Sequence, residues 1–208
     1  MQEAKYVAWH ELSLETQRAE LEKQQLAYEF VGLVKKWASN YAKLARRFVN
    51  EFGEEEVLDI LEQTWWDLQY EGGLTFREDF QADPQKAMKD MATSWHDEVY
   101  QGLGAGTYDF PVISENQWDL VCFQCYHQVF VEMGEQKIGI SWCMSDLAAV
   151  RGWSDKVIMR FPNVMIRGAP YCHQIRKIVE EANPEEDCWT REKSELYGWR
   201  SIKKLEEN

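Results

Sequence analysis

The chain is short of positive charge: 23 Lys and Arg stand against 36 Asp and Glu, a net charge of -13. Binding along phosphate backbones or anionic lipid needs clustered cations, so this balance argues against nucleic acid and membrane partners. Long apolar runs are also missing. None approaches the roughly 20 residues a membrane helix requires. The start, Met1-Gln2-Glu3-Ala4-Lys5, lacks the basic-then-apolar pattern of a secretory signal. The expected location is therefore the cytoplasm. No internal repeat or low-complexity segment is visible. Gly102-Leu103-Gly104-Ala105-Gly106 lacks the spacing, the Lys and the strand-before-helix context of a phosphate-binding loop, and reads as a connector.

With 45% hydrophobic and 13% aromatic residues over 208 positions, the chain has the composition of a globular protein. The expectation is one domain over 1–208. Its parts are a mainly helical stretch (1–104), an α+β stretch carrying the site (105–182) and a surface tail (183–208). Five cysteines is an odd number, and in a reducing compartment they persist as thiols, metal ligands or nucleophiles.

Between Ser13 and Phe52 the apolar residues Leu14, Leu21, Tyr28, Val31, Val34, Trp37, Tyr41, Leu44 and Phe48 recur at three, four and seven residues. That spacing predicts a long amphipathic helix with one break near Gly32. Its apolar stripe packs on the C-terminal sheet or on a second copy, which makes a homodimer one expected partner. Gly53 ends that helix, and Glu54-Glu55-Glu56 opens a second one reaching about Tyr70. Gly72-Gly73 marks a break, 75–82 reads as a connector, and Asp83-Pro84 starts a third helix with Met88, Met91, Trp95 and Val99 as its buried stripe.

Beyond Gly106 the class changes. Tyr108 to Val112 and Trp118 to Phe123 have strand character. Helices are expected over Cys125 to Met133 and Ile138 to Val150, and further strands over Val157 to Phe161, Val164 to Arg167 and Tyr171 to Val179. Gly168-Ala169-Pro170 forms a turn. The fold class is α+β: a helical N-terminal half packed on a small antiparallel sheet, with short helices in the C-terminal half. Trp189, Tyr197 and Trp199 are expected to pack the tail back onto the domain.

The chemistry is concentrated between Cys122 and His173, which hold four of the five cysteines, with His127 and Asp146 among them. Cys122-x2-Cys125 has knuckle spacing, and Cys143, Cys172 or His173 would complete a tetrahedral site, for which zinc is the expected metal. A strand through this pair sends the two sulfurs to different faces, so a small buried hydrophobe is an equal reading of Cys122. Cys143 and Asp146, three residues apart on the expected helix, share a face on which the carboxylate accepts a proton or orients a substrate. The alternative makes Cys143 core and Asp146 solvated. A thiolate at Cys143 needs a counter-charge, and His127, His173 and Arg167 are the candidates. Adjacent strand residues project to opposite sides, so only one of Cys172 and His173 faces a given pocket. Trp142 is either core or the wall of a pocket that grips a flat ligand.

Cys125-Tyr126, Phe130, Gly134, Gly139, Cys143-x2-Asp146, Gly152, and Gly168 with Cys172 together resemble the L-2-amino-thiazoline-4-carboxylic acid hydrolase family over Trp118 to Ile178. A more distant similarity links that family to vinyl reductase-like ligand-binding domains. The resemblance implies hydrolysis at the carbon between nitrogen and sulfur of a small cyclic amidine, opening the ring to a carbamoyl-cysteine. It implies a site of Cys125, Cys143, Asp146 and Cys172, with Cys143 as nucleophile or ligand, Asp146 as proton acceptor and His173 nearby. Cys172, His127, Arg167 and Trp142 would contact the substrate. The family tends to carry an acidic and an aromatic residue after its last cysteine, where this chain has His173-Gln174. The competing reading is a small-molecule or zinc-binding module without catalysis.

Overall fold

The structure is a computed structural model, and it describes residues 13–100, 106–180, 199, 200 and 202. Four helices come first: α1 (Leu14–Phe52), α2 (Glu54–Leu74), α3 (Arg77–Ala82) and α4 (Pro84–Tyr100). β1 (Gly106–Ile113), β2 (Gln117–Cys125), α5 (Gln128–Glu132), α6 (Gln136–Cys143), α7 (Asp146–Trp153), β3 (Val157–Asn163) and β4 (Cys172–Ile178) follow. The strands form one antiparallel sheet in the order β1-β2-β4-β3. This is the α+β class expected, and no described helix is long and apolar enough to cross a membrane.

Local signals set most element ends. Gly53 has a positive φ of 102° and separates α1 from α2, whose first turn carries three glutamates against the positive end of the helix dipole. Asp83 caps α4 as expected, its carboxylate accepting the Lys86 N–H at 3.0 Å.

Several boundaries differ from expectation, each for a tertiary or turn-level reason. α1 runs through Gly32 without a break. α2 continues past Gly72-Gly73 to Leu74, because bare backbone is needed there: a side chain at Gly73 would collide with the Ala149 carbonyl, and one at Gly152 with the Tyr70 carbonyl. α2 and α7 thus touch backbone to backbone. The connector over 75–82 contains α3, pinned by Arg77 Nε donating to the Gly152 carbonyl at 3.0 Å. Cys125 belongs to β2, so the following helix shrinks to α5. The expected 138–150 helix is two helices, α6 and α7, broken at Met144-Ser145, where the Ser145 hydroxyl donates to the Trp142 carbonyl at 2.6 Å. Residues Met165–Arg167 form a 3-10 turn rather than a strand, closed by Gly168 at φ 95°.

The largest core cluster joins Ala38, Ala42 and Ala45 of α1, Leu58 of α2, Met88 of α4, Trp118 of β2 and α6–α7 residues such as Leu147. Trp199 belongs to it: its indole N–H donates to Asp59 at 3.0 Å, and the ring is 1% exposed. The tail therefore packs back through Trp199, while Trp189 and Tyr197 lie outside the described residues.

Candidate functional site

Between the sheet and the α2–α7 layer lies a cavity of about 370 Å³. The period-two alternation of the strands supplies its floor. Trp118, Leu120 and Cys122 of β2 face inward and pair across the ladder with Arg176, Gln174 and Cys172 of β4. Tyr108 of β1 joins them opposite Cys122. From the helical side come Cys143 at the end of α6 and Asp146 and Val150 of α7, with Tyr126 and His127 at the edge.

Cys122 and Cys125 ought to face opposite ways, being three residues apart on one strand. A bulge resolves this. Thr107 pairs with Gln124 but Tyr108 with Cys122, so β2 carries one extra residue, Phe123, and the alternation slips by one. Both sulfurs then reach the same cavity, with the Cys122 sulfur 3.1 Å from the Gln124 carbonyl oxygen. Cys143 and Asp146 also meet there, across a helix break rather than on one helical face.

The structure therefore brings Cys125, Cys143, Cys172, Asp146 and His127 to one cavity. Three other candidates stand apart. His173 faces the other side of the sheet, 3.1 Å from Asp119. Arg167 sits on the 3-10 turn, outside the cavity wall. Trp142 lies behind the wall, where it meets the His127 ring edge-on at 4.8 Å and stacks on Trp65 at 4.9 Å. It holds the imidazole in place instead of facing the space.

The four thiols differ in their electrostatics. Cys125 is held well below the ordinary thiol range by a hydrogen bond from Cys122 and by His127, which together outweigh burial. His127 Nδ1 lies 3.3 Å from the Cys125 sulfur, and the His127 backbone N–H donates to the same atom. Cys122, as donor to that thiolate, is pushed up. Burial pushes Cys143 up and raises Cys172 to about 11, although the Met165 N–H donates to Cys172 at 3.2 Å. Of the four, Cys125 is the thiol whose surroundings favour the charged form.

Asp146 is shifted upward, because burial outweighs the opposing pull of Arg176, His127 and the 3.2 Å bond from Gln174. Arg176 is the least expected member. Burial lowers its guanidinium to about 10, which leaves it charged at neutral pH. It lies 4.3 Å over the Trp118 ring and donates through Nη2 to Gln174 at 2.7 Å. Its Nε and Nη1, the Trp118 indole N–H and His127 Nε2 are buried without a partner. Leaving a buried donor unsatisfied costs about 1–3 kcal/mol, so the three donor nitrogens of Arg176 and Trp118 around one space mark a place for an acceptor.

Arg176 was legible in principle: β4 alternation from Cys172 puts Gln174 and Arg176 on the same face. Among the described residues, no group of three or more His, Cys, Asp or Glu is arranged to hold a metal ion, so the zinc expectation gains no support from the geometry.

The model of the L-2-amino-thiazoline-4-carboxylic acid hydrolase family matches residues 34–175. The chain belongs to that family. The match starts well before Trp118, taking in the second part of α1 and all of α2 to α4. It stops one residue before Arg176. No curated protein matches the hydrolase-family chain. Among solved structures, the phenol-responsive sensory domain of the transcription activator PoxR, crystallised with phenol, aligns over 72% of this chain and 78% of that one. The identity is 13% and the TM-score 0.42, too low to transfer anything from that protein's site.

Proposed function

We propose that the cavity is the active site of a hydrolase for a small, carboxylate-bearing cyclic amidine of the aminothiazoline type. Arg176 and the Trp118 N–H take the carboxylate, which satisfies donors that otherwise lack partners. The Cys125 thiolate attacks the ring carbon between nitrogen and sulfur. The carbon–sulfur ring bond breaks, and the departing sulfur takes a proton from Asp146, a buried acid raised toward its protonated form. The carbon is now an isothiourea on Cys125. His127 deprotonates a water that attacks this carbon, Cys125 leaves as thiolate, the proton on His127 returns to the Asp146 carboxylate, and the product is the carbamoyl-cysteine. One water is consumed and no oxidant is needed.

The observation that carries the reading is the pairing of Cys125 with His127 in the cavity that also holds Arg176 with its Nε and Nη1 unpartnered. The nucleophile moves from Cys143, which burial keeps protonated, to Cys125. Cys143, Cys172 and Tyr108 become walls that shape the pocket. About 370 Å³ lies within the usual range for small-molecule sites.

The test is incubation of the purified full chain with 2-aminothiazoline-4-carboxylate, following release of a free thiol. Wild type turns over, Cys125→Ser is inactive with an unchanged melting temperature, and Cys143→Ser keeps most activity. An inactive wild type, or an active Cys125→Ser, contradicts the proposal. A second reading, binding without turnover, is favoured by the protonated state of three of the four cavity thiols. Saturable binding of the same compound with no thiol release would select it.

A further inference from the structure

A second cavity, of about 590 Å³, lies against the first. It is a cleft between α3 and α4, and Phe76, Trp95 and Trp153 line both spaces. Trp153 is a fixed partition: it is 7% exposed and stacks on Phe80 at 5.5 Å. Phe76 and Trp95 stand at the same junction but are 45% and 42% exposed. Each therefore has apolar surface that an apolar ligand would remove from water. Either space alone falls in the range of small-molecule sites, about 300–1,000 Å³, so the pair offers more room than one substituted ring fills.

The β2–β4 ladder gives the first cavity a direction. Its inward-facing pairs run in the order Cys122–Cys172, Leu120–Gln174, Trp118–Arg176. The thiols thus mark one end and Arg176 the other, and the Trp95 ring lies 6.1 Å from that of Trp118. A ring with its reacting carbon at Cys125 and its carboxylate on Arg176 turns its remaining edge toward Trp95. A substituent on that edge enters the cleft.

Charge limits what the substituent can be. The cleft wall carries Asp79, Asp83 and Asp90 against Lys86, which pairs with Asp90. The excess of carboxylates opposes a second anionic group.

We propose that the α3–α4 cleft is a subsite for an uncharged apolar arm, aryl or alkyl, carried by the substrate beside its carboxylate, with Phe76 and Trp95 as the residues that select it; the placing of the carboxylate rests on the hydrolase reading above.

The test compares 2-aminothiazoline-4-carboxylate with its 5-benzyl and 5-(4-carboxybenzyl) derivatives on the full chain. Affinity is read by rapid-mixing tryptophan quenching and turnover by thiol release. The benzyl compound is expected to bind at least about tenfold more tightly than the parent, the scale of burying an aromatic ring. The carboxybenzyl compound is expected to bind more weakly than the benzyl one. Trp95→Ala and Phe76→Ala, each at a half-exposed ring and each checked by its melting curve, are expected to bring the benzyl-to-parent ratio close to one. Equal affinity of wild type for parent and benzyl compounds overturns the proposal. So does a benzyl preference that survives both substitutions, or a carboxybenzyl arm held as tightly as benzyl. The two readings fail separately. Tighter benzyl binding without thiol release keeps the subsite and removes the hydrolase, whereas turnover of the parent with no gain from the arm keeps the hydrolase and removes the subsite.

Discussion

His127 Nδ1 lies 3.3 Å from Cys125 Sγ, with the imidazole wedged edge-on against Trp142 at 4.8 Å. The contact makes Cys125 chemically distinct from three other thiols in the same cavity, and it depends on a ring that is itself held by packing. Replacing His127 with Gln removes a group that favours the thiolate. The pH profile of Cys125 alkylation should then move upward, with a loss of about tenfold in rate at neutral pH, equivalent to about one pKa unit. An unshifted profile would mean that the Cys122 hydrogen bond alone sustains the thiolate.

Trp142→Phe tests the support behind that ring. Burial is largely kept, so stability should change modestly, but the edge contact on His127 is loosened. The expected result is slower Cys125 alkylation, with less than about 1.5 kcal/mol lost in chemical denaturation. Equal alkylation rates would make Trp142 core alone.

Asp146 gives a pH signature with a defined sign. Its carboxyl is raised by burial, so the folded state holds that proton more tightly than the unfolded chain. The group's contribution to stability is therefore present at pH values below the ordinary carboxylate range, and is lost as pH rises through the folded value. Asp146→Asn is neutral at every pH. Its melting temperature at pH 7 should match or exceed that of wild type, and the difference should close on acidification. A variant that melts well below wild type at pH 7 would show instead that the ionised carboxylate is a net stabiliser.

Arg176→Met removes a buried cation with two donor nitrogens unpartnered while keeping the contact on Trp118. Folding stability should change by less than about 1.5 kcal/mol, since replacing a poorly satisfied buried charge by an apolar chain is often neutral. Affinity for small carboxylates, read by quenching of tryptophan fluorescence, should fall at least about tenfold, the usual scale of a charge-assisted pair. Undiminished binding would remove Arg176 as the anchor.

Much of the fold was readable because it rests on local rules. Gly53 and Asp83-Pro84 act through backbone conformation and capping, and they sit where expected. The α+β division follows from residue type on either side of Gly106. What failed was decided by other parts of the chain. Gly72-Gly73 looks like punctuation in sequence, but the glycines are there to let α2 meet α7. The bulge at Phe123 carries no sequence mark, yet it turns Cys125 toward the same space as Cys122. For the site, the cluster of thiols with Asp146 was visible as composition, and the choice among the thiols was not, because it depends on His127 and on burial. Gln174 and Arg176 follow from simple alternation along β4, which puts them on the same face as Cys172, although neither carries the sulfur or imidazole that marks the rest of the cluster.

The α2–α7 contact that roofs the cavity has its own prediction. Gly73→Ala places a methyl against the Ala149 carbonyl, a rigid backbone atom that has no room to yield. The expected cost is about 1–3 kcal/mol in chemical denaturation, together with weaker ligand binding as the roof lifts. A neutral substitution would show that the two helices are free to separate.

The most direct measurement is competitive alkylation of the native protein with iodoacetamide at neutral pH, followed by peptide mapping of all five cysteines. The account predicts that Cys125 is modified first and well ahead of Cys122, Cys143 and Cys172, with protection by a small carboxylate that occupies the cavity. Cys143 or Cys172 reacting first, or all four cavity thiols reacting together, would contradict it.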